Sequence, residues 1–256
     1  MKGAVAGDII GSIYERVPIK TKEFPLFDRR CTYTDDTVLT VAIAEAILTG
    51  RSYRDAVLAF GRRYPLAGYG GTFIGWLQQT DPQPYNSWGN GSAMRVSPIG
   101  VAFPTAEQVL HEAAQSAIIS HDHPEGVKGA QAAALAVFLA RRGDGKAAIR
   151  TEIAERFGYD LSQTVDEIRP AYRFDVSCQG TVPAALIAFL DSDSYEDAVR
   201  NAISLGGDSD TLACIAGAVA EAFYGEVPAS IWSQAVEILP AELQTVLTAF
   251  YEKFGW

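Results

Sequence analysis

Gly3-Ala4-Val5-Ala6-Gly7-Asp8-Ile9-Ile10-Gly11-Ser12-Ile13-Tyr14-Glu15 is the stretch whose reading decides the fold. Read as a helix over 3–15, it places Gly3, Gly7 and Gly11 at i, i+4 and i+8. Those positions form one smooth stripe against which another helix can pack closely. Asp8, Ser12 and Glu15 fall on a second stripe, at i, i+4 and i+7. The stretch 38–48 (VLTVAIAEAIL) is apolar almost all round and predicts a central helix. Further helices are expected over 53–63, 106–119, 127–141, 147–157, 182–190, 195–204, 212–224, 229–238 and 241–253, where alanine is frequent. Turn chemistry separates them at 64–71, 81–98, 120–126 and 204–210. Residues 174–181 (FDVSCQGT) read as a short strand or an extended loop. No repeated strand pattern and no linker appear, so one compact all-α domain over 1–256 is expected.

The chain has 256 residues, of which 48% are hydrophobic, a composition that supports a substantial buried core. Its 31 acidic and 21 basic residues give a net charge of −10, which disfavours a general nucleic-acid binder. Cys31, Cys178 and Cys214 are odd in number and far apart, so neither a disulfide framework nor a zinc CxxC pair is expected. A reducing cytoplasm suits them. The apolar N-terminal run is interrupted by Asp8 and reads as a core helix, not a signal peptide. The run 182–190 is too short to span a bilayer, so no membrane association is expected.

Two tetrapeptides carry the chemistry. Thr34-Asp35-Asp36-Thr37 and Asp208-Ser209-Asp210-Thr211 each stand directly before an apolar helix. Thr, Ser and Asp are favoured N-caps, and negative charge suits a helix N-terminus. One cap accounts for one Asp, but not for two closely spaced Asp with a Thr in both segments. Carboxylates brought together repel, and a cation is the usual remedy. All the donors are oxygen, which selects a hard divalent ion such as Mg²⁺ or Mn²⁺. If the two helix starts face each other, they can share a two-ion site that orients hydroxyls and activates water.

The remaining motifs read less sharply. Gly89-Asn90-Gly91-Ser92-Ala93-Met94-Arg95 precedes a helix, so its backbone N–H groups can bind a pyrophosphate; a simple structural loop is the alternative. It lacks the GK[ST] ending of a Walker A loop. In Gly68-Tyr69-Gly70-Gly71, Tyr69 can stack on a base or be a packed tyrosine. His121 and His123 flank Asp122, and residues alone favour a satisfied structural histidine. Arg95 can pair with a phosphate or with a buried carboxylate, and Glu15, taken alone, is a solvated helix-end glutamate.

Taken in order, GAVAGDIIGSIYE, TDDT, GNGSAMR, SHDHPEG and GGDSDT resemble the motif set of the ADP-ribosylglycohydrolase family, which includes dinitrogenase-reductase-activating glycohydrolases and ADP-ribosyl-arginine and ADP-ribosyl-serine hydrolases. The resemblance runs from about Gly3 to Tyr224. It implies a compact orthogonal helical bundle with two Mg²⁺ (or Mn²⁺) in a cleft. It implies metal ligands Thr34, Asp35, Asp36, Asp208, Asp210 and Thr211, with Asp36 or Asp210 also steering a water. Glu15 matches the family's acidic catalytic residue. Tyr69, Gly70, Gly89, Asn90, Gly91, Ser92, Met94 and His121 are the expected substrate-binding set. The implied activity is metal-dependent hydrolysis of the bond between ADP-ribose and an acceptor on a protein or small molecule, by a monomer. Carboxylates suit the oxocarbenium character of that reaction. The rival readings are an inactive ADP-ribose-binding module and a magnesium-dependent phosphoesterase. SIYE and GNGSAMR look somewhat closer to the serine-type branch, and the acceptor is expected to be read by the loop 16–33.

Overall fold

The computed structural model describes residues 1–255. Fifteen helical segments occur among them: α1 Lys2–Gly11, α2 Asp35–Thr49, α3 Tyr53–Arg63, α4 Gly71–Gln78, α5 Gly91–Met94, α6 Ser97–Ala102, α7 Ala106–Ala117, α8 Pro124–Arg142, α9 Lys146–Phe157, α10 Val165–Ile168, α11 Cys178–Leu190, α12 Tyr195–Ser204, α13 Ser209–Tyr224, α14 Ala229–Ile238 and α15 Ala241–Phe254. Extended pairing among the described residues is limited to one antiparallel bridge, Gly89 with Ser177. No described helix is long and apolar enough to cross a membrane.

Local chemistry sets most boundaries. The side chains of Ser52, Thr105, Ser177 and Ser194 accept from backbone N–H groups at the starts of α3, α7, α11 and α12. Thr164 and Glu167 form a reciprocal capping box on α10. Gly50, Gly143, Gly158 and Gly225 close α2, α8, α9 and α13 in the left-handed conformation.

α13 is the axis of the core and is buried from Ser209 through Ala222. α1 lies on it along the glycine stripe. A Cβ added at Gly3 would strike the Gly217 carbonyl, and one at Gly7 the Ala213 carbonyl. One at Gly11 would sit 2.5 Å from the Ser209 carbonyl oxygen and 2.6 Å from the Asp210 Cα. Main chain therefore rests on main chain along the whole of α1. α2, buried from Asp36 to Ala44, packs beside the pair as the apolar pattern requires.

One end of this helix pair is pinned by charge. The Met1 ammonium lies 2.5 Å from Glu221 Oε2, with both groups almost wholly buried. Gly3 N–H also donates to that oxygen, and Tyr251 Oη donates to the other. Burial alone would raise the Glu221 carboxyl, but the ammonium and these donors outweigh it and hold the group below its ordinary value. Glu221→Ala leaves a buried cation unpaired, and a loss of about 3–5 kcal/mol is expected in urea unfolding. A loss below about 1 kcal/mol would place the pair among ordinary surface bridges.

Besides the short helices α5, α6 and α10, which were not expected, three elements differ from the sequence reading. α1 stops at Gly11, and residues 12–16 form turns. There Ser12 Oγ donates back to the Ile9 carbonyl and Tyr14 N–H to Gly11, so Glu15 leaves the helical stripe. α4 was not expected, because GTFIGWLQ contains two glycines and β-branched residues with poor helix propensity. It forms because Phe73, Trp76 and Leu77 bury one face. α11 begins at Cys178, four residues before the expected start, and carries Pro183 inside it. Residues 174–181 read as a short strand or an extended loop, which set that boundary too late.

Candidate active site

The starts of α2 and α13 meet at the floor of a cleft of about 1000 Å³. Asp8, from mid-α1, organises the first of them. Its carboxylate accepts from the Thr34 backbone N–H (3.0 Å), Thr34 Oγ1 (2.6 Å), the Thr37 backbone N–H (3.1 Å) and Thr37 Oγ1. Three of these donors reach Oδ2 and one reaches Oδ1, so Asp8 ties α1 to the first turn of α2. Sequence reading placed Asp8 on the polar stripe of α1 but gave it no site role. Its burial opposite a Thr-rich helix start was the missing information.

Asp36 Oδ2 accepts from Thr211 Oγ1 at 3.3 Å, which joins the two acidic segments directly. Asp36 Oδ1 is buried without a hydrogen-bond partner. Asp208 Oδ2 accepts from Asn90 Nδ2 at 2.7 Å. Carboxylate oxygens of Asp8, Asp36 and Asp210 lie within 4.8 Å of one another, as do those of Glu15, Asp208 and Asp210. Asp210 belongs to both groups.

These carboxylates burden each other. Burial, then Asp8, Asp35 and Asp208, push Asp36 well above its ordinary value. Burial, then Asp208 and Asp36, do the same to Asp210. Asp35, partly open to the cleft, is raised to about 8 by burial and then by Asp8. Burial lifts Asp8 to about 6 against the pull of Thr34 and Thr37. Glu15, half-buried, is raised by burial and then by Asp208, with Arg16 opposing. An orphaned buried oxygen among crowded acids, with threonine hydroxyls beside them, is an arrangement that a hard divalent cation fits.

The cleft is lined by Glu15, Thr34, Asp35, Asp36, Asp208, Asp210 and Thr211, together with Gly70, Gly89, Asn90, Gly91, Met94 and His121. Two residues expected there are placed otherwise. Tyr69 is buried with its ring against Phe73, centroids 5.5 Å apart, and is no part of the lining. Ser92 is fully buried, and its hydroxyl donates to the Gly126 carbonyl at 2.7 Å. Tight packing behind each loop wins over exposure at its tip. The amide of Asn90 is engaged with Asp208 and with Thr181 (3.1 Å), so this side chain orients an acid of the floor.

The wall above the floor joins two loops that the sequence kept apart. Asn90 N–H donates to the Val176 carbonyl, and Cys178 N–H to Trp88, both at 2.8 Å. The turn 89–91 is thereby fastened to the start of α11. Trp88, 52% exposed, and Asp175 line the cleft as well, although neither was singled out in the sequence. Trp88 stands in the stretch 81–98, whose strong turn character masked it.

The family model for ADP-ribosylglycohydrolases matches residues 1–255. ADP-ribosylhydrolase ARH3 of Homo sapiens is 27% identical, covering 93% of this chain and 88% of its own. ADP-ribosylarginine hydrolase Tri1 of Pseudomonas putida is 25% identical, covering 94% and 76%. Among solved structures, an ADP-ribosylglycohydrolase-related protein complex superposes with a TM-score of 0.74 at 25% identity, covering 99% and 95%. A match along the whole described chain, on a helical frame of the same shape, means that the chain belongs to the ADP-ribosylglycohydrolase family and is by that membership a glycosidic-bond hydrolase.

Proposed function

We propose that this chain hydrolyses the glycosidic bond joining ADP-ribose to an acceptor, with two divalent cations, Mg²⁺ or Mn²⁺, at the cleft floor. The observation that carries the reading is the convergence of two acidic helix starts and Glu15 on one cleft. Its volume of about 1000 Å³ suits a dinucleotide-sized ligand. Relatives named as ADP-ribosylhydrolases support the substrate class.

Thr34, Asp35, Asp36, Asp208, Asp210 and Thr211 would hold the ions, which supply orientation of ribose hydroxyls and polarisation of water. The protein's own groups do the rest. Glu15 stands beside Asp208 and Asp210 on the open side of the floor, where it can exchange a proton with the leaving acceptor or the attacking water. The backbone of Gly89 and Gly91 offers close approach to the diphosphate, and His121 faces the same turn.

The decisive assay presents ADP-ribosylated serine and arginine peptides and an ADP-ribose acetyl ester, with Mg²⁺ and with chelator. Release of ADP-ribose in Mg²⁺ alone is expected. AMP with a phosphoribosyl group left on the acceptor would mean a phosphoesterase, binding without turnover a binding module, and full turnover in chelator would remove the ions from the reaction.

Stability should report the same floor. Folded-state values of about 6 for Asp8 and about 8 for Asp35 lie above those of an unfolded chain. Native protein therefore binds more protons, and the stability so gained is complete at low pH and lost as pH rises through those values. Metal-free protein is expected to melt at lower temperature at about pH 8.5 than at about pH 5, and Mg²⁺ to raise Tm more at the higher pH. Equal Mg²⁺ shifts at both ends, measured by thermal denaturation, would separate cation binding from these carboxylates.

A further inference from the structure

Arg95 is fully buried, and the titratable groups that act on it or feel it, Tyr85, Cys178 and His121, include no carboxylate that balances it. Its Nη2 donates to the Ser116 carbonyl at 2.6 Å and to Ser120 Oγ at 3.2 Å, while Nε and Nη1 have no partner. Ser120, also fully buried, lies with its Oγ 2.8 Å from His121 Nδ1. Three side chains thus form a line from a buried cation to the cleft.

Hydrogen-bond accounting along that line has one consistent solution. A guanidinium only donates, so Ser120 Oγ accepts from Arg95. The serine hydrogen then needs an acceptor, and within reach that is His121 Nδ1. The opposite arrangement, with Nδ1 donating, would strand a buried hydroxyl hydrogen. The imidazole proton therefore sits on Nε2, and burial together with Arg95 keeps the ring neutral by holding its pKa well below the ordinary histidine value. Nε2 has no protein partner among the described residues. It points at the turn 89–91, where a Cβ on Gly91 would lie 3.1 Å away and one on Gly89 3.6 Å away. The two glycines leave that N–H open to the cleft.

We propose that Arg95, acting through Ser120, is a positioning residue that fixes His121 in its Nε2–H tautomer and aims this donor, backed by an uncompensated positive charge, at an anionic oxygen of the bound ligand. Glutamine or a histidine free to switch tautomer would not serve equally, because the donor is oriented from behind by a charge that the fold leaves unbalanced. The inference rests on the cleft being an ADP-ribose site, and the ligand oxygen it assigns is one of the diphosphate beside the glycine turn.

The test is ¹⁵N NMR of histidine-labelled protein, with the His121 signals identified by their loss in His121→Asn, followed by ADP-ribose titration in Mg²⁺. The expected wild-type result is an unprotonated Nδ1 and a protonated Nε2 before any ligand is added, with the Nε2 signal shifting on ADP-ribose binding. Ser120→Ala is expected to give mixed tautomers and to weaken ADP-ribose about tenfold, the scale of one hydrogen bond to a charged acceptor. A protonated Nδ1 in the wild-type chain overturns the proposal whether or not Ser120→Ala folds. So does an unchanged tautomer with unchanged affinity in Ser120→Ala. A wild-type chain with the expected tautomer that ignores ADP-ribose overturns instead the functional reading and the ligand assigned here.

Discussion

Glu15→Gln is expected to lower kcat for ADP-ribose release by about 10²–10⁴-fold, the range for loss of a positioned proton-transfer group. The amide keeps the size and most of the contacts of the carboxyl but carries no exchangeable acid. Glu15 sits on the open side of the floor, half-buried, within the group it forms with Asp208 and Asp210. Burial, and then Asp208, raise its pKa, which brings it toward the pH at which proton transfer is efficient. ADP-ribose affinity and the Mg²⁺-dependent rise in Tm should stay close to wild type, because Asp210 and Asp36 remain. A kcat within about threefold of wild type, less than the smallest contribution such a group makes, would remove Glu15 from the reaction.

Gly7→Ala is expected to destabilise the fold by about 3 kcal/mol or more, at the upper end for overpacking. The added methyl would strike the Ala213 carbonyl and lie 2.6 Å from its carbon and 3.1 Å from the Cys214 nitrogen. None of these atoms belongs to a side chain that can rotate away, so α1 and α13 must part. Gly75→Ala is the control. Gly75 lies inside α4, exposed, with nothing within 4 Å of an added Cβ. There the same change should stabilise by about 0.5–1 kcal/mol through helix propensity and a less flexible unfolded chain. Urea unfolding of the two variants should move in opposite directions, and a neutral Gly7→Ala would mean that the two helices are not in main-chain contact.

The glycine stripe was legible because an i, i+4, i+8 spacing has few uses other than close helix packing. The two acidic segments were legible because cap chemistry accounts for only part of them. Asp8 was not, since one aspartate on a polar stripe does not reveal which N–H groups it will face across the core. Tyr69 and Ser92 were misplaced for a related reason. A glycine-rich loop shows which backbone can approach a ligand, but not which of its side chains turn inward to Phe73 or to the Gly126 carbonyl. The His121 line escaped the sequence because it links Arg95 with Ser120 across 25 residues. Only the third dimension pairs a cation with a hydroxyl in place of the carboxylate that charge balance would suggest.

Gly11 rests on Ser209 and Asp210. Two backbones in contact thus fix where α1 ends relative to Asp210, and the turn 12–16 that carries Glu15 starts from that point. Anyone retargeting this scaffold to a new acceptor must therefore keep the anchors of that turn, because Tyr14 Oη donates to the Pro25 carbonyl and Thr32 N–H to Ser12 Oγ, whereas main-chain contact already holds α1 itself. The same contact forbids a shortcut: no single substitution along the glycine face can widen the floor for a bulkier sugar without letting the two helices come apart.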